Sequence, residues 1–270
     1  MMKAGLKDNR PIGVFDSGLG GLCALKELKK LLPNEHFVYF GDTGRTPYGT
    51  RSEEKITEYA ASDVRFLQEH NVKAILAACG TVSAIALERI KDTCPVPLFG
   101  IIDSASRSAS AATKNGKIGV MGTGATVKSG VFETKLSALG DYEVYKTACP
   151  LLVPIVENNL IDTEIAYHAI KHYMSPLVST GVDTVILGCT HFPLLSEKIS
   201  EIYPDLTLIN SGAEAAVSLA EYLKKENMLC DEKNGLTEYF VSDVPNNFDT
   251  CAAVFMGGAL GGEIKKIDIE

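Results

Sequence analysis

Val72-Lys73-Ala74-Ile75-Leu76-Ala77-Ala78-Cys79 and, at an offset of 110, Val182-Asp183-Thr184-Val185-Ile186-Leu187-Gly188-Cys189 are two versions of one segment. Each is a short, nearly continuous apolar run, the pattern of a strand buried on both faces of a parallel sheet. Each ends on a cysteine, with a helical segment just beyond. Two further pairs echo in the same order. Ile12-Gly13-Val14-x-Asp16-x-Gly18 resembles Ile118-Gly119-Val120-x-Gly122-x-Gly124 at an offset of 106, and Ile102-Asp103-Ser104-Ala105 resembles Ile209-Asn210-Ser211-Gly212 at 107. Three echoes at nearly constant offset predict two similar halves related by a pseudo-twofold.

Outward from these segments the same grammar continues. Strands are predicted over 11–15, 36–40, 72–78, 96–102, 117–121, 143–147, 184–187 and 206–209, with 238–241 and 263–269 as edge strands. Leu25, Leu28 and Leu32 share one face of a first helix, and Ile56, Ala60, Val64 and Leu67 form the buried stripe of a second. Further helices are expected near 82–91, 126–139, 162–180, 192–202 and 213–227. Strand–helix alternation of this kind predicts an α/β protein built on doubly wound parallel sheets.

At 270 residues the chain has room for two such units. No apolar run approaches the roughly 20 residues of a membrane-spanning helix, and the charged start, Met1 to Arg10, lacks signal-peptide character. The net charge of -8 argues against a nucleic-acid partner. A soluble, cytoplasmic protein is expected. The seven cysteines are odd in number and irregularly spaced, so reduced thiols are expected rather than a disulfide framework.

Most free cysteines are small buried hydrophobes. Cys79 and Cys189 differ because they hold matching strand ends in the two halves. Ligands of open α/β sheets sit at that edge. Asp16-Ser17, Asp42 and Asn210-Ser211 reach it too. If the halves face each other, two thiols enter one cleft from opposite sides. That is the geometry for moving an α-proton between two bases. A helix N-terminus lowers a thiol's pKa toward neutrality, which suits it to this work. Thr81, Ser83, Thr190 and His191 lie close enough in sequence to assist.

Other motifs are less telling. Asp16-Ser17-Gly18-Leu19-Gly20-Gly21 is a glycine-rich strand-to-helix turn that matches neither the dinucleotide fingerprint nor the P-loop. His191 is not at a zinc spacing from Cys189, and no metal or cofactor is expected. Glu157 alone reads as a solvated carboxylate. His36, His70, His168 and His172 read as structural or exposed.

Taken together, IGVFDSGLGGL at the start, YFGDTGRTPYGTRS at 39–52, ACGTVSA at 78–84, ACPLLVPIVE at 148–157 and GCTHFPLL at 188–195 resemble the glutamate racemases of the aspartate/glutamate racemase superfamily over essentially the whole chain. The resemblance implies a cofactor-independent enzyme of two pseudosymmetric domains that interconverts L- and D-glutamate for peptidoglycan and forms a homodimer. It implies a crossover, with 1–99 plus 211–270 as one domain and 100–210 as the other. Cys79 and Cys189 map onto the catalytic pair, Asp16 and His191 onto the groups that assist them, and Asp42 and Glu157 onto further acidic positions. Substrate-binding positions fall on Asp16, Ser17, Tyr48, Gly49, Thr81, Thr190 and His191.

Two departures bear on substrate. Gly80 stands where the family usually has Asn, which removes an amide contact worth about 1.5–3 kcal/mol and leaves space beside the substrate. Ile102-Asp103-Ser104 replaces a common Glu-Pro. A racemase of aspartate or another small amino acid is therefore the nearest rival. A Cys189–His191 hydrolase would leave Cys79 idle and lacks an orienting third group in sequence. A flavodoxin-like binding module using the Asp16–Gly21 turn would need neither cysteine.

Overall fold

The computed structural model describes residues 8–244 and 248–269, so the first seven residues of the charged start lie outside it. The first half runs β1 (Ile12–Asp16), α1 (Leu22–Leu31), β2 (Phe37–Gly41), α2 (Glu53–Glu69), β3 (Ala74–Ala77), α3 (Gly80–Ile85), α4 (Leu87–Ile90), β4 (Leu98–Gly100) and α5 (Ile102–Ala112). The second runs β5 (Lys117–Gly122), α6 (Gly124–Ser129), α7 (Val131–Ser137), β6 (Glu143–Ala148), α8 (Leu152–Glu157), α9 (Glu164–Val178), β7 (Thr184–Leu187), α10 (Ser196–Ile202), β8 (Thr207–Asn210) and α11 (Ser211–Lys225). The chain then adds β9 (Thr237–Val241), α12 (Phe248–Met256) and β10 (Ile264–Lys266).

The strands form two sheets, ordered β10-β9-β2-β1-β3-β4 and β6-β5-β7-β8, in which every observed pairing is parallel. The order β2-β1-β3-β4 is thus repeated in β6-β5-β7-β8. Register repeats with it: Ile12 lies opposite Phe37 and Ala74, and Ile118 opposite Val144 and Thr184. Helices cover both faces of the first sheet. Ile12, Val14, Ala74 and Leu76 point into one apolar cluster, while Phe15, Ile75 and Ala77 point into the other. Burial on both sides is why these strands read as unbroken apolar runs.

The structure changes several expectations. The echo at 107 is three residues out of structural register. Gly100 pairs with Ala77 and Asn210 with Leu187, so Gly100 and Asn210 are the equivalent strand ends. The predicted strand over 96–102 stops at Gly100 because the chain turns there: Ile101 N donates to Ser83 Oγ at 3.2 Å, and α5 begins at Ile102 with Asp103 in its first, electropositive turn. Residues 238–241 are not at an edge; β9 lies between β2 and β10. The helix expected over 126–139 is broken at Gly130, whose φ of 69° lies in the left-handed region. The helices α5, α8 and α12 were not expected.

Helix α5 packs on α7, β7 and β8, and α11 packs on α1, so each helix that follows a half's last strand also touches the other half's elements. No helix among the described residues is long and apolar enough to cross a membrane.

Lys73, an odd residue in an apolar strand segment, is fully buried. Its ammonium lies 2.5 Å from Glu35 Oε2 and donates to the carbonyls of Asp8 (2.6 Å) and Met228 (2.7 Å), while Cys230 N donates to Glu35 Oε1 at 2.7 Å. Four segments distant in sequence, around residues 8, 35, 73 and 228–230, meet at one ion pair. Lys73→Ala, which strands the Glu35 carboxylate, is expected to cost about 3–5 kcal/mol of unfolding free energy in chemical denaturation. A loss below ~1 kcal/mol would show the pair to be no more than a surface bridge.

Candidate active site

Cys79 sits two residues past β3 as the N-cap of α3, and Cys189 two residues past β7. Their sheets present these ends to each other, and both thiols line one cavity of about 60 Å³. Of the positions expected from sequence, Ser17, Tyr48, Gly49, Gly80, Thr81, Glu157, Thr190 and His191 line it as well. Asp16, Asp42 and Ser83 do not. Gly18, Thr46, Pro47, Thr123 and Val153 line it without having been named as site residues. Thr123 caps α6 and bonds Thr81 across the cleft, Oγ1 to Oγ1 at 3.0 Å.

On one side, Cys79 Sγ donates to Ser17 Oγ at 3.3 Å. Burial pushes this thiol up to about 12; the nearby Asp16 carboxylate adds to the rise, and the Ser17 hydroxyl and Val82 amide oppose it. The expected drop toward neutrality is therefore reversed. The six-residue α3 supplies too few donors to offset removal of the thiolate from water. Behind Cys79, Asp16 Oδ2 accepts from Gly18 N at 3.1 Å, and Oδ1 is buried with no hydrogen-bond partner among the described residues. Burial raises the Asp16 carboxyl above its usual range, against the opposing charge of His191.

On the other side, His191 Nδ1 lies 3.9 Å from Cys189 Sγ and 3.3 Å from Thr190 Oγ1, and Nε2 lies 3.0 Å from Glu157 Oε1. Burial acts to lower the imidazole's pKa, but the hydrogen bonds to Cys189 and Glu157 outweigh it and push it up to about 10. His191 is thus a cation at neutral pH and can donate from both nitrogens. Glu157, the last residue of α8 and one of the acidic positions the resemblance implied, is the third group that orients His191. Helix α12 closes this flank: Phe255 meets the His191 ring edge-on at 5.0 Å between centroids, and the Cys251 thiol donates to the Glu157 carbonyl at 3.1 Å.

Asp42, Ser83 and Ser211 lie behind the cavity wall. Asp42 is fully buried: Oδ2 accepts from Arg45 Nε at 2.6 Å and from the Tyr48 hydroxyl, and Oδ1 from Ser242 Oγ at 2.7 Å. Ser83 Oγ donates to the Ala77 carbonyl, and Ser211 Oγ to that of Leu187, bracing the ends of β3 and β7. Gly80 does not leave space. A Cβ there would meet the Gly188 carbonyl oxygen at 2.2 Å, so Gly80 lets the two strand ends touch backbone to backbone.

Glu157→Gln keeps an amide oxygen to accept from Nε2 but removes the carboxylate charge that helps hold the proton on His191. The imidazole pKa is expected to fall by about one unit in an NMR titration, and the alkaline limb of activity to move down with it. The sign follows from a raised folded-state value: the contribution is complete below the ordinary histidine range and is lost as pH rises through about 10. An unchanged His191 titration in the variant would remove Glu157 from this role.

Two like parallel-sheet halves, each bringing a strand-end cysteine to one cavity, define an α/β racemase. Residues 25–220 match the profile of the Asp/Glu/Hydantoin racemase family. A glutamate racemase from Geobacter metallireducens is 41% identical over 264 residues, covering 97% of each chain. Among solved structures, a glutamate racemase from Francisella tularensis in complex with D-glutamate superposes with a TM-score of 0.91 at 34% identity, covering 97% of this chain and 98% of that one. One from Bacillus anthracis gives 0.92 at 36% identity over the same shares. The chain belongs to the Asp/Glu/hydantoin racemase family.

Proposed function

We propose that this protein interconverts L- and D-glutamate by passing the α-proton between Cys79 and Cys189, without a cofactor. The observation that carries this reading is that the two thiols line one cavity from equivalent ends of two like sheets. The relatives above are named for glutamate, and one holds D-glutamate.

One thiolate takes hydrogen from Cα and becomes a thiol; the other thiol gives its proton to the opposite face and becomes a thiolate. Each turnover leaves the pair set for the opposite enantiomer. The surroundings of the thiols differ. Cys79 faces Ser17 and the Asp16 carboxylate, whose raised affinity for protons suits it to take the Cys79 proton. Cys189 faces the His191–Glu157 pair, which can supply or accept one. Hydroxyls of Ser17, Thr81 and Thr190 and backbone amides are placed to receive the substrate carboxylates. A cavity of about 60 Å³ is far below the 300 Å³ or so of common ligand pockets, so substrate entry requires the cleft to widen.

The reading extends to two domains, 1–99 with 211–270 and 100–210, supported by the two sheets. It further includes a cytoplasmic supply of D-glutamate for peptidoglycan, and a homodimer. An apolar groove of about 590 Å³, containing exposed Leu151 and Ile165, supports self-association.

The test is incubation with L-glutamate in deuterated water, following optical rotation and α-deuterium by NMR. Formation of D-glutamate with deuterium at Cα is expected. Turnover of aspartate but not glutamate would move the substrate assignment, and exchange of neither would end the proposal.

A further inference from the structure

The loop after β2 carries Thr46, Pro47, Tyr48 and Gly49 into the cavity, yet what holds it lies behind the cavity, in a cluster the reaction does not use. Arg45 reaches into it with three donors. Nε meets Asp42 Oδ2 at 2.6 Å, Nη1 meets Ser62 Oγ at 2.9 Å, and Nη2 meets Asp63 Oδ1 at 2.7 Å. Both carboxylates are fully buried. The Tyr48 hydroxyl touches Asp42 Oδ2 and lies 3.0 Å from Asp63 Oδ2.

Protons can be counted here. A phenol has one, and it bridges two carboxyl oxygens. One of those contacts must therefore use a proton from a carboxyl group. Asp42 accepts from Arg45 on one oxygen and from Ser242 on the other. Asp63 Oδ2 meets Tyr48 alone and is the oxygen free to carry a proton. Charge agrees, since one partly buried guanidinium balances one fully buried carboxylate rather than two.

We propose that Asp63 is a positioning residue held as a neutral carboxylic acid, whose own proton bridges to Tyr48 and fixes the 43–50 loop against the cleft. Tyr48 accepts from Asp63 and donates to Asp42, which leaves each hydrogen with an acceptor. Burial and the neighbouring Asp42 charge hold the Asp63 carboxyl well above the usual range, against the pull of Arg45. The groups facing it are Arg45, Tyr48, Asp42 and Ser62, with Asp16 adding a more distant negative charge. The Tyr59 ring stacks 4.5 Å from the Arg45 guanidinium and 5.3 Å from the Tyr48 ring, closing the outer side.

The effect on turnover rests on the racemase reading; the proton's location does not. Infrared difference spectra of wild type against Asp63→Asn at pH 7 are expected to show a carboxylic-acid C=O band present only in the wild type. Asp63→Asn keeps a donor toward Tyr48, so its kcat/KM should stay within about threefold of wild type. Asp63→Ala strands Arg45 and Tyr48 and should raise KM tenfold or more, with a smaller change in kcat. Thermal unfolding gives an activity-free check. A raised folded-state value means the native state binds the extra proton, so wild-type stability falls relative to Asp63→Asn as pH rises above the ordinary Asp value near ~4. Absence of the band, a constant difference in Tm between pH 4 and 8, or an Asp63→Asn variant as impaired as Asp63→Ala would overturn the proposal.

Discussion

Alanine at either Cys79 or Cys189 is expected to lower inversion of glutamate by about a thousandfold, within the 10²–10⁴ range for a lost general acid or base. Each variant keeps a base on one side only. Residual α-deuterium exchange, read by NMR in deuterated water, should then be confined to one enantiomer and should be opposite in the two variants. Neither change should disturb the fold, since each trims one sulfur from a residue at the cavity wall. Inversion at the wild-type rate in either variant would remove the two-thiol mechanism.

Gly80→Ala is expected to have the next largest effect, and for a reason opposite to the one that its departure from the family's usual Asn suggested. A methyl group there meets the Gly188 carbonyl at 2.2 Å, and a backbone oxygen at the end of β7 cannot swing aside as a side chain can. The ends of β3 and β7 must part by most of an ångström. Cys79 and Cys189, each one residue from that contact, move with them. A misplacement of that size costs about 10²-fold in rate where reacting groups are prealigned. We expect kcat to fall some 10–100-fold with the fold retained, checked by steady-state kinetics in both directions and by circular dichroism. An alanine variant with wild-type kcat would show that the Gly80–Gly188 contact does not set the separation of the thiols.

Much of the scaffold was legible because its strands are buried on both faces. Such strands must be apolar throughout, and so β1, β3, β5 and β7 stand out in sequence and echo one another. The helix α5 escaped because its buried face is made of small residues, Ser104, Ala105, Ser106 and Ala109, and because the strand before it was read through Ile102, its first residue. Thr123 and Val153 escaped because nothing local marks a residue as facing a cavity formed by two sheets. Asp63 sits in mid-helix among ordinary polar neighbours, and only the fold reveals that water is excluded from it.

The sequence by itself determined the period of the strands, the repeat of one half in the other, and the matched placing of Cys79 and Cys189 at strand ends. These are properties of neighbouring residues and of covalent order. The tertiary structure alone decided where the protons sit. Burial raises the Cys79 thiol, the Cys189 sulfur and a carboxylate 34 positions away raise the proton affinity of His191, and Arg45 divides its guanidinium between two acids. A proton's affinity depends on the charges and water within a few ångströms, and those neighbours are brought together only when the chain is folded.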